Sequence, residues 1–218
     1  CKPMLKRETI VVPFLNGVET IERLRKILPK ENIANGVAKV STTIKAPGII
    51  KQTGDFRTFI FAECDNRPSL RIKELQKAII KAGANAPETI DIDKEMWSKF
   101  IMFSAISGAT AAGRCTLGQV TKSPSLSKVF QKIISETTAT ARAYGIDLSS
   151  SIEQDIWRRA NELPSDVRAS TAVDLEKGLP IEVDWISGAV IRLAKAKGLE
   201  APTNETIHGL LSPYKSGL

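Results

Sequence analysis

The pattern of apolar residues changes near residue 90, and this change constrains the fold more than any other feature of the sequence. Before it, short β-type runs alternate with short helical patterns, as is typical of an α/β sheet. After it, apolar residues recur at helical spacing almost to the end, and Gly and Pro interrupt them. The sequence therefore predicts an α/β domain over residues 1–90 and an all-α domain over residues 91–218.

The first domain is predicted to contain the closing part of a sheet. Its predicted strands cover residues 9–15, 33–44, 49–52, 57–62 and 86–92, with a hairpin turn at residues 53–55. A short helix is predicted over residues 19–28. A second begins at the N-cap Ser69 and ends at Gly83, with Leu70, Leu75, Ala78 and Ile79 facing inward.

The second domain is predicted to be a compact helical bundle. Its predicted helices cover residues 93–113, 126–144, 151–163, 166–177, 182–197 and 203–211. The first of these is apolar on most sides toward its end, which predicts a position in the middle of the bundle.

Composition excludes several classes of protein. The net charge is +7, but the basic residues are scattered and only 6% of residues are aromatic, so nucleic-acid binding is disfavoured. No apolar run has the length of a membrane span. The three cysteines form no CxxC pair and there is one histidine, so neither a disulfide framework nor a metal site is expected. This cysteine usage favours the reducing cytoplasm.

The sequence contains no GxGxxG, P-loop, HExxH or GxSxG pattern, so candidate catalytic residues must be sought among single polar side chains. Lys99 is the first of these candidates. It lies within a very apolar helix. Its ammonium group either reaches solvent from the helix edge or is partly desolvated and donates a proton. Phe103 and Ser107 follow at helical spacing and line whatever Lys99 faces.

Three acidic or hydroxyl-bearing residues are further candidates. Ser170 and Asp174 are four residues apart and share one helix face, which is either a solvated face or part of a site. Glu182 opens the next predicted helix, where it either complements the helix dipole or binds a ligand. None of these residues alone identifies a reaction.

Five short motifs follow one another in register along essentially the whole chain. They are NGVE, WSKF, SPSLSKVFQKIISETTATARAYGI, SxxxDxxxGxxxEVDxxxG and AxxxGxxAPxN. This order closely resembles the ketopantoate reductases (2-dehydropantoate 2-reductases). The resemblance implies NADPH-dependent reduction of a 2-oxo acid in pantothenate biosynthesis. It also implies the C-terminal part of a Rossmann domain followed by a helical domain like that of 6-phosphogluconate dehydrogenase, which binds substrate and forms a homodimer.

The resemblance also implies roles for individual residues. Lys99 matches the catalytic lysine, whose ammonium group would stabilise and protonate the developing oxyanion. Substrate would contact Asn16, Ser107, Ser170 and Glu182. Asn16, at the end of the predicted strand 9–15, and Glu182 would also contact the cofactor, and Asp174 would support Ser170.

Two departures from the family pattern change what is expected. Phe103 and Ser107 stand where the family has asparagines, and a phenylalanine side chain cannot hydrogen-bond a hydroxy acid, which favours a more apolar 2-oxo acid. The glycine-rich phosphate-binding turn is absent from these residues. At ~30 residues per βαβ step, roughly 80–90 residues would precede residue 1. We therefore expect this chain alone not to bind NADPH tightly.

Three alternative functions follow from the same residues. A truncated helical association module would form a stable oligomer without cofactor or turnover. A different 2-hydroxy-acid or opine-type dehydrogenase would prefer bulkier substrates facing Phe103. A basic nucleic-acid binder would lose affinity steeply with salt.

Overall fold

The computed structural model describes residues 2–217, and the chain divides into two compact units, Cys1–Met96 and Trp97–Leu218. The helices and strands are α1 (Thr20–Arg25), β1 (Ala34–Ala46), β2 (Ile49–Glu63), α2 (Leu70–Lys81), α3 (Ile92–Ala112), α4 (Leu117–Lys122), α5 (Pro124–Ala143), α6 (Ile152–Glu162), α7 (Ser170–Glu176), α8 (Ser187–Ala196) and α9 (Pro202–Leu211). A small sheet followed by helices confirms the predicted fold class. Within residues 2–217, each helix is too short or too polar to cross a membrane.

The sheet is one antiparallel pair, β1 and β2, joined by a turn at Pro47 and Gly48. Gly48 has a φ of +76°, a conformation that glycine adopts without steric cost. The ends of the strands remote from this turn are buried, whereas the ends beside it are exposed. Only half of the hairpin therefore contributes to the core of the N-terminal unit.

The predicted turn at residues 53–55 is wrong. β2 continues through Gly54, which has a φ of +72° and lies where the pairing slips between Val40 and Thr42. A glycine at positive φ serves a turn and a bulge equally well, so the sequence pattern does not distinguish them.

Two predicted strands are also wrong. In residues 9–15 only Val11 pairs, with Ile33, because Pro13 has no N–H group to continue a ladder. In place of a strand over residues 86–92, one pair forms just before it, between Thr58 and Asn85. Ile92 already belongs to α3.

One hydrophobic cluster of the N-terminal unit forms where α2 packs on the buried half of the hairpin. Its buried members are Ala34, Phe61, Ile72 and Ala86, and Ile10, Val12, Phe14, Phe59, Leu75 and Ile79 pack against them. The Ser69 hydroxyl accepts a hydrogen bond from the N–H of Ile72, which confirms the predicted N-cap. Leu70 and Ala78, predicted to face inward, are exposed because the packed face of α2 runs through Ile72 and Ile79.

The C-terminal unit is built around two long helices, α3 and α5. Residues 107–111 of α3 are all buried, so this end of the helix is enclosed as predicted. α5 packs against α4, α6, α8 and α9. It ends before Gly145, which has a φ of +80°.

Three helical predictions in this unit need correction. No helix was predicted at α4, although Thr116 and Gln119 form a capping box at its start. The predicted helix 166–177 is shorter and begins only at Ser170. The predicted helix 182–197 is broken: a single 3-10 turn, Val183–Trp185, comes first, and Ile186 interrupts the helical backbone before α8.

Candidate functional site

The face of α3 that carries Lys99 also carries Phe103 and Ser107, at intervals of four residues. Lys99 is half-buried, and its Nζ atom lies 5.9 Å from the centre of the Phe103 ring. That distance is within the range of a cation–π interaction. Ser107 is only 2% exposed. The face therefore passes from a partly accessible ammonium group to a buried hydroxyl.

The N-terminus of α7 is attached to this face of α3 by two hydrogen bonds. The Ser107 hydroxyl donates to Thr171 Oγ1 at 2.7 Å, and the N–H of Ala169 donates to Thr110 Oγ1 at 3.4 Å. Ser170 lies between these two anchored residues and is itself exposed. The start of α7 is thus fixed, while the Ser170 side chain is accessible to a ligand.

Asp174 lies one turn after Ser170 on α7, so the two share a helix face as predicted. Asp174 is half-buried. Its backbone carbonyl accepts the N–H of Leu179 at 2.9 Å, and α7 ends before Gly178, which has a φ of +66°. This ending leads the chain directly into the segment that contains Glu182.

Glu182 is half-buried and immediately precedes the 3-10 turn Val183–Trp185. Its backbone carbonyl accepts the N–H groups of Trp185 and Ile186. Its side chain makes no cap hydrogen bond to that turn, and α8 starts only at Ser187. The geometry therefore does not favour the interpretation of Glu182 as a residue that merely complements a helix dipole.

The segment beside Glu182 is held by a group of polar residues, Asp184, Arg192, His208 and Lys215, which we call the terminal clamp. Asp184 Oδ1 lies 2.8 Å from His208 Nε2, and Asp184 Oδ2 lies 3.4 Å from Lys215 Nζ. Arg192 donates to the backbone carbonyl of Asp184 at 2.8 Å. The hydrogen bond from His208 lowers the pKa of Asp184, and Lys215 acts in the same direction, although burial opposes them. Asp184, His208 and Lys215 thus anchor the turn that follows Glu182.

Sequence reasoning missed the terminal clamp. Asp184 is visible in the EVD motif, but its partners lie on α9 and after it, so no local spacing connects them. His208 is the single histidine of the sequence and belongs to none of the motifs. Its pairing with a carboxylate on a distant segment is a feature of the tertiary fold.

Asn16 belongs to the N-terminal unit. It is half-buried in a bend, and the segment before it is not a strand, so the predicted position at a strand end is wrong. Within the C-terminal unit, two hydrogen bonds place the start of α7, with Ser170, beside the end of α3 that carries Ser107 and Thr110, and Lys99 lies two turns before Ser107 on the same helix. Among residues 2–217, no cluster of His, Cys, Asp or Glu side chains is arranged to hold a metal ion.

An apolar groove of about 470 Å³ lies elsewhere in the C-terminal unit, between α3, α5 and α9. Its walls include Ala109, Val129 and Ile207, and none of the predicted site residues lines it. The groove is therefore separate from the candidate site.

Comparisons with known proteins agree along the whole chain. The family model for the C-terminal part of ketopantoate reductase PanE/ApbA matches residues 91–215, and the model for ketopantoate reductase PanE/ApbA matches residues 1–65. An uncharacterized oxidoreductase of Bacillus subtilis, YkpB, is 26% identical over 99% of this chain and 71% of its own length. The 2-dehydropantoate 2-reductase of Archaeoglobus fulgidus is 28% identical over 96% of this chain and 69% of its own length.

Solved structures give the same result for the fold. A ketopantoate reductase of the PanE/ApbA family from Ralstonia eutropha superposes with a TM-score of 0.87 at 26% identity, covering 98% of this chain and 69% of that one. A D-mandelate dehydrogenase in complex with NADH and anilino(oxo)acetate has a TM-score of 0.88 at 21% identity, covering 98% of this chain and 70% of that one. At that identity the second comparison shows the fold alone.

The matches define an oxidoreductase that acts on CH–OH groups. The chain belongs to the ketopantoate reductase family. The family and the enzyme class predicted from the motifs are thus confirmed. The individual site residues remain predictions, because the comparisons concern whole chains.

Proposed function

We propose that this chain supplies the proton donor and the substrate-binding residues for the NADPH-dependent reduction of a 2-oxo acid to the 2-hydroxy acid, the substrate being ketopantoate or a close relative. The supporting observation is the buried hydrogen bond between Ser107 and Thr171, which fixes the accessible Ser170 beside the α3 face that bears Lys99. A 2-oxo acid requires a positive group for its carbonyl oxygen and a hydroxyl donor for its carboxylate, and we assign Lys99 and Ser170 to these two roles.

Lys99 is the proposed proton donor. The carbonyl carbon of the 2-oxo acid would accept the hydride that a nicotinamide cofactor supplies when bound. As the carbonyl π bond breaks, the ammonium group of Lys99 stabilises the negative charge on oxygen and transfers one proton to it. The product is the 2-hydroxy acid, and the neutral amine of Lys99 regains its proton from water.

The remaining residues of the C-terminal unit position the substrate. The Ser170 hydroxyl donates to the substrate carboxylate, and Asp174 supports Ser170 from the next turn of α7. Glu182 accepts a hydrogen bond from a hydroxyl of substrate or cofactor. The hydroxyl of Ser107 already donates to Thr171 and is buried, so we assign it to holding α7 in place.

The residues of this chain match only part of a binding site for a nicotinamide dinucleotide. The sequence has no glycine-rich turn to hold a pyrophosphate, and the half-buried Asn16 is the residue of the N-terminal unit that we assign to the nicotinamide ribose. Glu182 is the corresponding assignment in the C-terminal unit. No step of the mechanism above depends on phosphate binding by this chain.

We also propose that the protein acts in pantothenate biosynthesis, forms a homodimer and is located in the cytoplasm. A dimeric ketopantoate reductase from Staphylococcus aureus shares the fold, with a TM-score of 0.84 at 19% identity. Sedimentation of the purified chain tests the dimer: a monomer at micromolar concentration would contradict it. A stable oligomer with neither turnover nor NADPH binding would instead favour the association module.

Replacement of Lys99 tests the function directly. In the protein expressed from the complete reading frame, Lys99→Ala is expected to lower kcat by about 10²–10⁴, the usual contribution of general acid catalysis. Lys128→Ala, at an exposed position of α5, is the matched control and should leave kcat unchanged. NADPH oxidation with ketopantoate is followed at pH 7, and an unchanged kcat in Lys99→Ala removes this residue from the proposed role.

A further inference from the structure

We propose that a cavity at the start of α2 binds a small carboxylic acid that also carries an amide group. The cavity has a volume of about 260 Å³ and lies within the N-terminal unit, between α2 and the loop that precedes α3. Asn16, the predicted site residue of this unit, does not line it. The proposal is therefore independent of the proposed function.

Gln76 is the residue that points to a ligand. Its side chain lines the cavity, and the residue is only 8% exposed. Within residues 2–217 its amide has no hydrogen-bond partner. A buried polar group without a partner costs free energy, so native structures retain few of them. An amide both donates and accepts hydrogen bonds, and a second amide on a ligand satisfies both capacities.

The first N–H groups of α2 attract a negative charge to the same cavity, which Ser69 also lines. The Ser69 hydroxyl accepts the N–H of Ile72, and the N–H groups before Ile72 have no acceptor within the helix. The first turn carries no acidic residue. Glu63 lies close by, but Arg71 bonds both of its carboxylate oxygens and Glu63 does not line the cavity. The positive end of the helix dipole therefore remains open to a bound anion.

The charged side chains around the cavity favour an anion with a single charge. They are Arg67, Lys73 and Glu88, all exposed, so positive charge is in excess by one. Arg67 also lies 3.5 Å from Asp65, which weakens its attraction for a ligand. A carboxylate matches this surrounding better than a doubly charged phosphate group.

The remaining walls are fixed and leave further donors for a ligand. Asn66 Oδ1 accepts the N–H of Ile92 at 2.8 Å, and Thr89 Oγ1 accepts the N–H of Asp91 at 3.2 Å. The amide hydrogens of Asn66 and the hydroxyl hydrogen of Thr89 are not used in these bonds, and both side chains line the cavity. Cavities for drug-sized ligands have volumes of about 300–1,000 Å³, so this one suits a smaller molecule.

Succinamate, the half-amide of succinic acid, carries the two required groups on a short chain. Butanoate lacks the amide and butanamide lacks the carboxylate, so the three compounds form a matched set. Dissociation constants are measured by NMR titration of the protein expressed from the complete reading frame. Succinamate is expected to bind with a Kd of about 1 mM, and the other two compounds and inorganic phosphate at least about tenfold more weakly.

Gln76→Met keeps a side chain of similar volume and removes the amide. It should weaken succinamate at least about tenfold and leave the urea midpoint of the N-terminal unit unchanged or raised, because the lost amide had no partner in the protein. Lys73→Gln should weaken succinamate about two- to fivefold through the lost charge. Lys77→Gln, at an exposed position of α2 that does not line the cavity, is the matched control and should have no effect.

Several results would overturn the proposal. One is the absence of succinamate binding, and another is binding of butanoate or inorganic phosphate that is as tight as that of succinamate. Unchanged binding in Gln76→Met would remove Gln76 from the site, and a lowered urea midpoint in this variant would show that its amide is bonded within the protein. Ketopantoate reduction is measured on the same samples, so a failure of the proposed function is detected separately.

Discussion

Arg71→Ala is expected to destabilise the N-terminal unit strongly, because it leaves a buried carboxylate without its partner. Arg71 Nε and Nη2 donate to the two carboxylate oxygens of Glu63 at 2.7 and 2.6 Å, and Arg71 Nη1 donates to the carbonyl of Glu31 at 2.7 Å. The side chain of Glu63 is only 4% exposed. Removing one partner of a buried ion pair costs about 3–5 kcal/mol of unfolding free energy.

The exposed pair between Arg67 and Asp65 provides the matched control. Their side chains are 67% and 63% exposed and lie 3.5 Å apart, so Arg67→Ala should cost about 0–1 kcal/mol. Urea unfolding is followed by hydrogen exchange of peptides from β1, β2 and α2. The three tryptophans, Trp97, Trp157 and Trp185, belong to the C-terminal unit, and their fluorescence serves as an internal reference.

The unfolding free energy contributed by the pair of Arg71 and Glu63 depends on pH in a defined direction. The hydrogen bond from Arg71 lowers the pKa of Glu63, and burial opposes it. The stability from this pair is therefore full above the carboxyl pKa of the unfolded chain and is lost as the pH falls through the lowered folded pKa. In Arg71→Ala, burial favours the protonated acid, so the difference from wild type should shrink on acidification. A loss equal to that of Arg67→Ala, or one independent of pH, would refute the reasoning.

Three further substitutions have defined outcomes. Gly118→Ala would bring a Cβ atom within 2.6 Å of Ser165 Cβ and 2.8 Å of its carbonyl oxygen, so we expect urea unfolding followed by tryptophan fluorescence to show a loss of about 1–3 kcal/mol. Ser69→Ala removes the N-cap of α2 and should cost about 1 kcal/mol in the same denaturant, detected by exchange of α2 peptides. Asp184→Asn removes a carboxylate whose pKa is lowered chiefly by His208. The stabilising contribution of Asp184 in the wild type is lost as the pH falls through that pKa, so the variant should show a flatter acid limb of Tm against pH. A limb as steep as that of the wild type would contradict this assignment.

Local signals predicted the helices well and the strands poorly. Helix ends depend on hydrogen bonds and backbone angles that involve neighbouring residues, so a short stretch of sequence can indicate them. Examples are the N-cap Ser69 and the positive-φ residues Gly83 and Gly145. Pairing in the sheet depends on distant residues. Gly48 and Gly54 look alike in sequence, and only the register between β1 and β2 makes one a turn and the other a bulge.

Part of the candidate site was likewise predictable from local sequence patterns, and part depends on contacts between distant residues. The spacing of Lys99, Phe103 and Ser107 predicted a shared face of α3, because helical periodicity is local. The bond from Ser107 to Thr171 joins residues that are 64 positions apart, and no pattern in the sequence indicates it. The APxN motif is a further example: the N–H groups at its end are held by Glu136 on α5, so its asparagine, Asn204, secures the start of α9.

The docking of the chain's last residues has a practical consequence for handling the protein. The N–H of Ile181 donates to the carbonyl of Lys215, and a Cβ atom on Gly217 would come within 2.7 Å of the carbonyl of Gly178. Residues 215–217 therefore pack against the loop that leads to Glu182, and an affinity tag attached close behind them would act on that loop. A purification handle at the opposite terminus, or a cleavable spacer, avoids mistaking this mechanical disturbance for a loss of enzymatic competence.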